Sequence, residues 1–214
     1  MGQERDRNTP MSRMTRKGLA TRERIIDYAT DLMIDDGIAN TSIDDIRHAA
    51  GVSGSQMAHY FADKHDLIGA VIDRAADRVM DGQQPYLDHF DSLEAIEAWA
   101  DLEINYQRSA GCPGCPLGSL AAELLDVDPS LAARVRDHMD TWAARMSNGL
   151  RDMKDRGDLR KNADPDNLAR ALLTGLQGGL FMTNLTGDVA PVEAIMTRLI
   201  DDLRRQTNPT PSFG

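Results

Sequence analysis

The chain has 214 residues, 24 Lys and Arg against 34 Asp and Glu, and two Cys, giving a formal charge of −10 and a pI near 4.9. That length allows one or two domains with a real core, two Cys exclude a dense disulfide scaffold, and no apolar run approaches the roughly 18 residues of a membrane span. The acidic balance weighs against nucleic acid, whose binders usually carry a basic footprint, while 41% hydrophobic but only 5% aromatic residues favour helix over sheet.

Residues 1–19 are polar, aperiodic and contain a Pro, the pattern of a flexible arm. No basic-then-apolar leader is present, so a cytoplasmic protein is expected. From Thr21, Ile25, Ile26, Ala29, Leu32 and Met33 fall on one helical face, and Gly37 supplies a stop. Ser42 can cap a short second helix through Ala50, with Asp44 and Asp45 in the first turn where the dipole favours them. Gly51 breaks the chain, and Ser53 can cap a third helix to about Tyr60 that keeps Met57 and Phe61 as apolar contacts. Helix, tight glycine turn, helix is a DNA-binding unit. A fourth helix opens at Asp63 with an apolar stripe from Leu67 to Val79, and further helices are expected at about 92–109, 117–126, 130–156, 165–186 and 191–206. Asp164-Pro165 is a strong start signal, cap then Pro at the first helical position. The Pro-rich tail 207–214 should fray, and no alternation is long enough for a strand.

The stretch Thr41-Ser-Ile-Asp-Asp-Ile-Arg-His-Ala-Ala-Gly-Val-Ser-Gly-Ser-Gln-Met-Ala-His-Tyr-Phe-Ala-Asp-Lys-His-Asp-Leu67 resembles the N-terminal domain of TetR/AcrR-family transcriptional regulators over about residues 20–70. The resemblance implies an all-α protein of about nine helices: a three-helix helix-turn-helix head over 20–66, then a larger ligand-binding and dimerisation domain over 67–206. Arg47 stands where the family often has Ala, and Ala58 where it usually has Tyr, which removes a phosphate or base contact that other members make.

The residue types suit DNA on their own terms. A recognition helix enters the major groove by its first turns, so Ser53, Gly54, Ser55 and Gln56 are small or polar as backbone approach requires. Gln56 can pair with adenine, while His59 and Tyr60 can reach sugar-phosphate or a thymine methyl. Thr41, Ser42 and Lys64, at helix N-termini, and Arg22 are expected on phosphates. Alternatively these are ordinary caps and exposed polar residues of a small bundle. Residues 1–24 hold seven basic and three acidic residues, a local +4, whereas 68–214 hold 15 basic and 23 acidic, a local −8. A basic arm can follow a backbone or enter a minor groove, or simply be solvated.

The resemblance implies that the remaining two-thirds senses a ligand and dimerises. Leu168, Leu172, Leu176 and Leu180 form one row, with Ala171, Gly175 and Gly179 beside it, and Val192, Ile195, Met196, Leu199, Ile200 and Leu203 repeat at helical period. Small residues allow close helix approach. Leu168, Leu172, Gly175, Leu176, Gly179, Ile195, Leu199 and Leu203 are therefore expected in a homodimer interface, or else packed within one chain. Within Gly111-Cys-Pro-Gly-Cys-Pro-Leu-Gly118, the Gly114-Cys-Pro-Leu-Gly118 stretch leading into a helix resembles the LmrA/YxaF-type branch, where it lies at the ligand side. Candidate pocket residues are Trp99, Glu103 and Tyr106, then Cys115, then Met139, Trp142 and Met146, then Gln177 and Phe181, a set whose Met and aromatic content suits a tolerant cavity for a hydrophobic or aromatic effector.

Cys112 and Cys115 also fit a C-x-x-C redox pair, so a thiol-sensing regulator is the alternative. A helical enzyme using those thiols, or His138 with Glu103 or Glu123, has no triad, metal box or phosphate loop behind it. The expectation is a non-enzyme without metal or cofactor: a repressor whose partners are double-stranded operator DNA, a small effector and a second copy of itself, released by a ligand that prefers another conformation.

Overall fold

A computed structural model describes residues 14–208. Among these, the elements run α1 (Arg16–Asp35), α2 (Ile43–Ala50), α3 (Gly54–Tyr60), α4 (Lys64–Gly82), α5 (Leu93–Ala110), α6 (Pro116–Leu124), α7 (Pro129–Arg156), α8 (Pro165–Thr186) and α9 (Ala190–Gln206). The non-helical pairing among them is an isolated antiparallel bridge between Leu159 and Thr207. The chain divides into two compact units, the first ending at Val71 and the second beginning at Ile72, a division that falls inside α4.

In the first unit the core is Ile25, Ile26, Ala29 and Met33 of α1, Ile46 and Ala50 of α2, Met57 and Phe61 around α3, and Leu67 of α4, all buried. The helix limits follow local chemistry. Ser42 and Asp45 form a reciprocal box, with Ser42 N–H donating to Asp45 at 2.9 Å and Asp45 N–H to Ser42 Oγ at 3.2 Å. Gly51 ends α2 in the left-handed region (φ 62°), which lets its own N–H and that of Val52 close the last carbonyls, those of Arg47 and His48. Helix α1 begins at Arg16, so residues 16–19, expected in the arm, are helical: Thr15 caps them by accepting from Gly18 N–H at 3.1 Å. Residues 1–13 of the expected arm lie outside the described residues.

In the second unit α7, α8 and α9 are the long elements. Asp164 accepts from the N–H groups of Asp166 and Asn167 ahead of Pro165, the start expected for α8. The small residues of α8 let α9 lie against it: a Cβ at Gly175 would stand 2.3 Å from Leu199 Cδ1, and one at Gly179 2.8 Å from Ile195 Cγ2 and 3.0 Å from Val192 Cα. The tail does not fray where expected, because Asn208 donates its N–H to Asp158 and its amide to the carbonyls of Gly157 and Leu159; residues 209–214 lie outside the described residues.

Candidate functional site

The first unit presents α3 outward. Ser53, Gly54, Ser55, Gln56, Ala58 and His59 are exposed while Met57 alone of this helix is buried. The helix is held by its own cap: Gln56 N–H donates to Ser53 Oγ at 3.2 Å, and Ser53 N–H donates to Gln56 Oε1 at 2.9 Å. An adenine edge must therefore replace that second bond if Gln56 is to present both amide atoms. Ser55 Oγ lies 3.0 Å from Ser53 Oγ, and His59 meets Tyr60 edge-on at 4.9 Å.

Three other expected DNA contacts have partners within the unit, and a fourth, Tyr60, is partly covered. Thr41 is 3% exposed and its hydroxyl donates to Gly37 O at 2.8 Å, closing the end of α1 rather than facing phosphate. Lys64 Nζ donates to Ile38 O at 2.6 Å and ties α4 to the α1–α2 loop. Arg22 stacks over the Phe61 ring at 5.3 Å beside Glu23, and Tyr60 is half-buried. Ser42 stays exposed but spends its hydroxyl on the cap. Sequence reasoning missed Arg24, whose Nε donates to Ala50 O at 2.9 Å and pins the carbonyl next to the Gly51 turn. Its spacing, one residue before the apolar face of α1, carried no such signal. Ala58 and Arg47, the two departures from the family pattern, border one shallow depression of about 190 Å³ with Ile43, Met57 and Phe61.

The second unit contains a groove of about 840 Å³ lined by α6, α7, α8 and the loop before α6, including Cys115, Met139, Leu173, Gln177, Leu180 and Phe181. Four expected ligand residues, Cys115, Met139, Gln177 and Phe181, meet there. The others are placed elsewhere. Trp99 is fully buried, donates Nε1–H to Gln83 Oε1 at 2.8 Å and packs edge-on against Phe90 at 5.2 Å, while Trp142 and Met146 are core and Tyr106 is 53% exposed. Periodicity marked their helix faces but not which faces abut the groove. Glu103 is half-buried, and burial pushes its carboxyl up to about 7; its charge also raises the Cys115 thiol.

The loop before α6 is built rather than loose. Gly111 and Gly114 have φ of 78° and 76°, and Cys112 has φ 63°. Gln107, 1% exposed, donates to Gly114 O at 3.1 Å and accepts from Gly114 N–H at 2.9 Å, while Asn184 donates to the carbonyls of Cys112 and Pro113. Both Cys are free and buried, and burial is the main influence that pushes the Cys115 thiol up, so it stays a neutral thiol rather than the low-pKa thiolate of a redox sensor.

The rows of α8 and α9 meet each other within the chain. Leu172, Leu176, Gly179 and Leu203 are buried within the chain, and Gly175, Ile195 and Leu199 take part in the α8–α9 contact, with Leu168 half-buried. The face of α8 that stays exposed carries Phe181 at 65%, Met182 at 43% and Leu185 at 67%.

Residues 25–71 match the family described as bacterial regulatory proteins, tetR family, and residues 92–199 match the tetracyclin repressor-like C-terminal domain. The chain belongs to the TetR family. It is similar to transcriptional regulator AcuR of Cereibacter sphaeroides, 26% identical over 168 residues that make up 76% of each chain. It is also 18% identical over 186 residues, 87% of this chain and 93% of the other, to the HTH-type transcriptional repressor DhaR of a Mycobacterium species. A TetR transcriptional regulator from Chloroflexus aurantiacus superimposes with a TM-score of 0.77 at 28% identity, over 90% of this chain and 98% of that one. As a TetR-family member the protein is a DNA-binding transcriptional regulator and not an enzyme. No helix among the described residues is long and apolar enough to cross a membrane.

Proposed function

We propose that the protein is a cytoplasmic homodimeric repressor that leaves a palindromic operator when a small hydrophobic or aromatic effector occupies the groove of α6, α7 and α8. The observation that carries the DNA half is the outward set Ser53, Gly54, Ser55, Gln56 and His59 on a helix whose single buried residue is Met57. Gln56 and Ser55 read bases, Ser53 and the free N–H groups of the first turn meet phosphate, and His59 reaches the sugar-phosphate edge. Arg22, Thr41 and Lys64 support the head from within, with Ser42 and Tyr60 at its border.

The second copy belongs on the exposed stripe of α8 formed by Met182, Leu185 and Phe181, a patch that water would otherwise cover. Phe181 sits at the seam between stripe and groove, so the effector and the partner share a wall. The Gly114–Gly118 stretch that opens α6 at that wall supports placement in the LmrA/YxaF-type branch. Release requires only that the effector prefer a conformation unsuited to the operator, and such couplings are typically about 1–3 kcal/mol.

Fluorescence anisotropy with DNA from upstream of the protein's own gene tests this reading. Binding should fall steeply with salt, and Gln56→Ala should cost about 1–3 kcal/mol at one position of each half-site. Leu185→Asp should yield a folded monomer by light scattering. A folded dimer that binds no such DNA at low salt overturns the proposal.

A further inference from the structure

A protein that reads DNA must also place cations near the reading element, because each phosphate it approaches carries a charge. Helix α3 supplies no Lys or Arg of its own: it runs Gly54, Ser55, Gln56, Met57, Ala58, His59, Tyr60. Among the described residues of the first unit the basic side chains are Arg16, Lys17, Arg22, Arg24, Arg47 and Lys64. Three of these are spent internally, Arg22 on Phe61 and Glu23, Arg24 on Ala50 O, and Lys64 on Ile38 O. Arg16 and Lys17 open α1 at the far end of α3, since a Cβ at neighbouring Gly18 would stand 3.6 Å from the Tyr60 hydroxyl. That leaves Arg47 for the Gly54 end.

Arg47 borders the shallow depression together with Gly54 and Ala58, both on the outward side of α3. Its Nε donates to Asp44 Oδ1 at 3.1 Å, one turn back on α2, and Nη2 lies 3.4 Å from His48 Nε2. A guanidinium has five N–H donors in one plane, so the Asp44 bond sets that plane and leaves donors on both Nη atoms for an outside acceptor. The Asp44 side chain is 75% exposed, and an exposed pair of this kind is loosely held. Ala58 ends at its Cβ, so the α3 wall of the depression is low.

Resting on the operator reading of α3, we infer that Arg47 grips a backbone phosphate of the operator, reaching it from α2 across the low wall at Ala58. The two departures from the family pattern are then one feature, in which the short residue 58 opens the space and the cation at 47 uses it. Asp44 and Asp63 border the same depression. Without Arg47 the DNA would meet two acidic side chains there and no cation. A phosphate contact carries no sequence information, so Arg47 sets strength and register while Ser55 and Gln56 read bases.

Fluorescence anisotropy with the upstream DNA, between 50 and 200 mM salt, tests this on the full-length protein. Arg47→Gln keeps the length of the side chain and removes its charge. Each lost phosphate contact takes about 0.9 from the salt slope, so two heads lose about 1.8, and binding should weaken on the order of a hundredfold at 50 mM but only about tenfold at 200 mM. The loss should be equal on the parent sequence and on single-base variants of it, and Arg47→Lys should keep the parental slope. Adding Ala58→Lys to the Arg47→Gln protein puts a cation on the opposite wall and should restore most of the affinity and the slope. Should Arg47→Gln fail to fold, Ala58→Glu in the parent sets a further carboxylate beside the guanidinium and should lower both. Parental affinity and slope in Arg47→Gln, or in Ala58→Glu where that variant is used, overturn the inference and leave the operator reading standing. So does a loss of affinity at unchanged slope, which gives Arg47 a role in the fold of the head instead. Absence of binding by the folded parent at low salt overturns the operator reading and the inference with it.

Discussion

Gly149 lies in the middle of α7, where alanine would ordinarily stabilise a helix by about 1 kcal/mol. Here the sign should reverse. A Cβ at Gly149 would stand 2.0 Å from the carbonyl oxygen of Phe90 and 2.5 Å from its carbonyl carbon. Those are backbone atoms of the α4–α5 connection, and Phe90 is itself 2% exposed with its ring edge-on to the buried Trp99. The carbonyl must retreat to about 3 Å, and it cannot do so without moving a core aromatic ring. Overpacking costs about 1–3 kcal/mol, and encroachment on a backbone anchored by a buried ring belongs at or beyond the top of that range. After the helix gain, Gly149→Ala should lose about 2 kcal/mol net, which for a chain of this size lowers Tm by about 4–8 °C. Urea titration by far-UV circular dichroism reads this as a lower midpoint at unchanged slope. A Gly149→Ala midpoint equal to or above the parent's would refute the close approach of α7 to Phe90.

Other consequences are testable alongside it. Because burial holds the Glu103 carboxyl protonated up to about pH 7 whereas the unfolded chain ionises it near 4.5, this group should lower stability as pH rises from about 4.5 to 7 and leave it flat above; Glu103→Gln should remove that part of the pH profile. Gln107→Ala leaves both backbone groups of Gly114 unpaired in a buried site, and should cost about 3 kcal/mol in urea melts; a loss under about 1 kcal/mol would mean that the loop before α6 is held by other bonds. Cys112 and Cys115, both buried, should react with a thiol reagent at least about a hundredfold more slowly in the native protein than in urea, and rapid native labelling would revive the redox reading.

What could be read from sequence was what local chemistry decides. Ser42, Ser53 and Asp164 cap helices because a short side-chain oxygen reaches its own N–H groups two or three residues on, and Gly51 turns because a left-handed backbone favours glycine; no distant residue is needed for either. The leucine and glycine rows of α8 were legible as a packing face, yet their partner was not. A small-residue row fits a second copy or a neighbouring helix equally well, and only the positions of Leu199 and Ile195 decide for α9 of the same chain. The same limit governs Trp99 and Trp142, which lie on the correct helices but are fully buried, Trp99 against Gln83 and Phe90 of the preceding connection. Thr41 and Lys64 illustrate the converse: a polar group at a helix start can satisfy an internal carbonyl, and Gly37 and Ile38 supply one each.

Gly54 turns that limit into a test of the DNA surface. Most glycines whose neighbours crowd them are explained inside the chain, as Gly179 is by Val192 and Ile195. A Cβ at Gly54 meets nothing within 4 Å, and its backbone needs no left-handed conformation, so nothing in the fold asks for glycine there. An external surface that must come close to the first turn of α3 does ask for it, because each added side-chain atom holds the groove floor away from Ser53, Ser55 and Gln56. Gly54→Ala should therefore leave the urea midpoint unchanged or slightly raised, by a few tenths of a kcal/mol, while weakening operator binding about tenfold or more, which is about 1.4 kcal/mol. Unaltered affinity with unaltered stability would show that the first turn of α3 does not lie against the base edges, and the recognition role would pass to the His59 end of the helix.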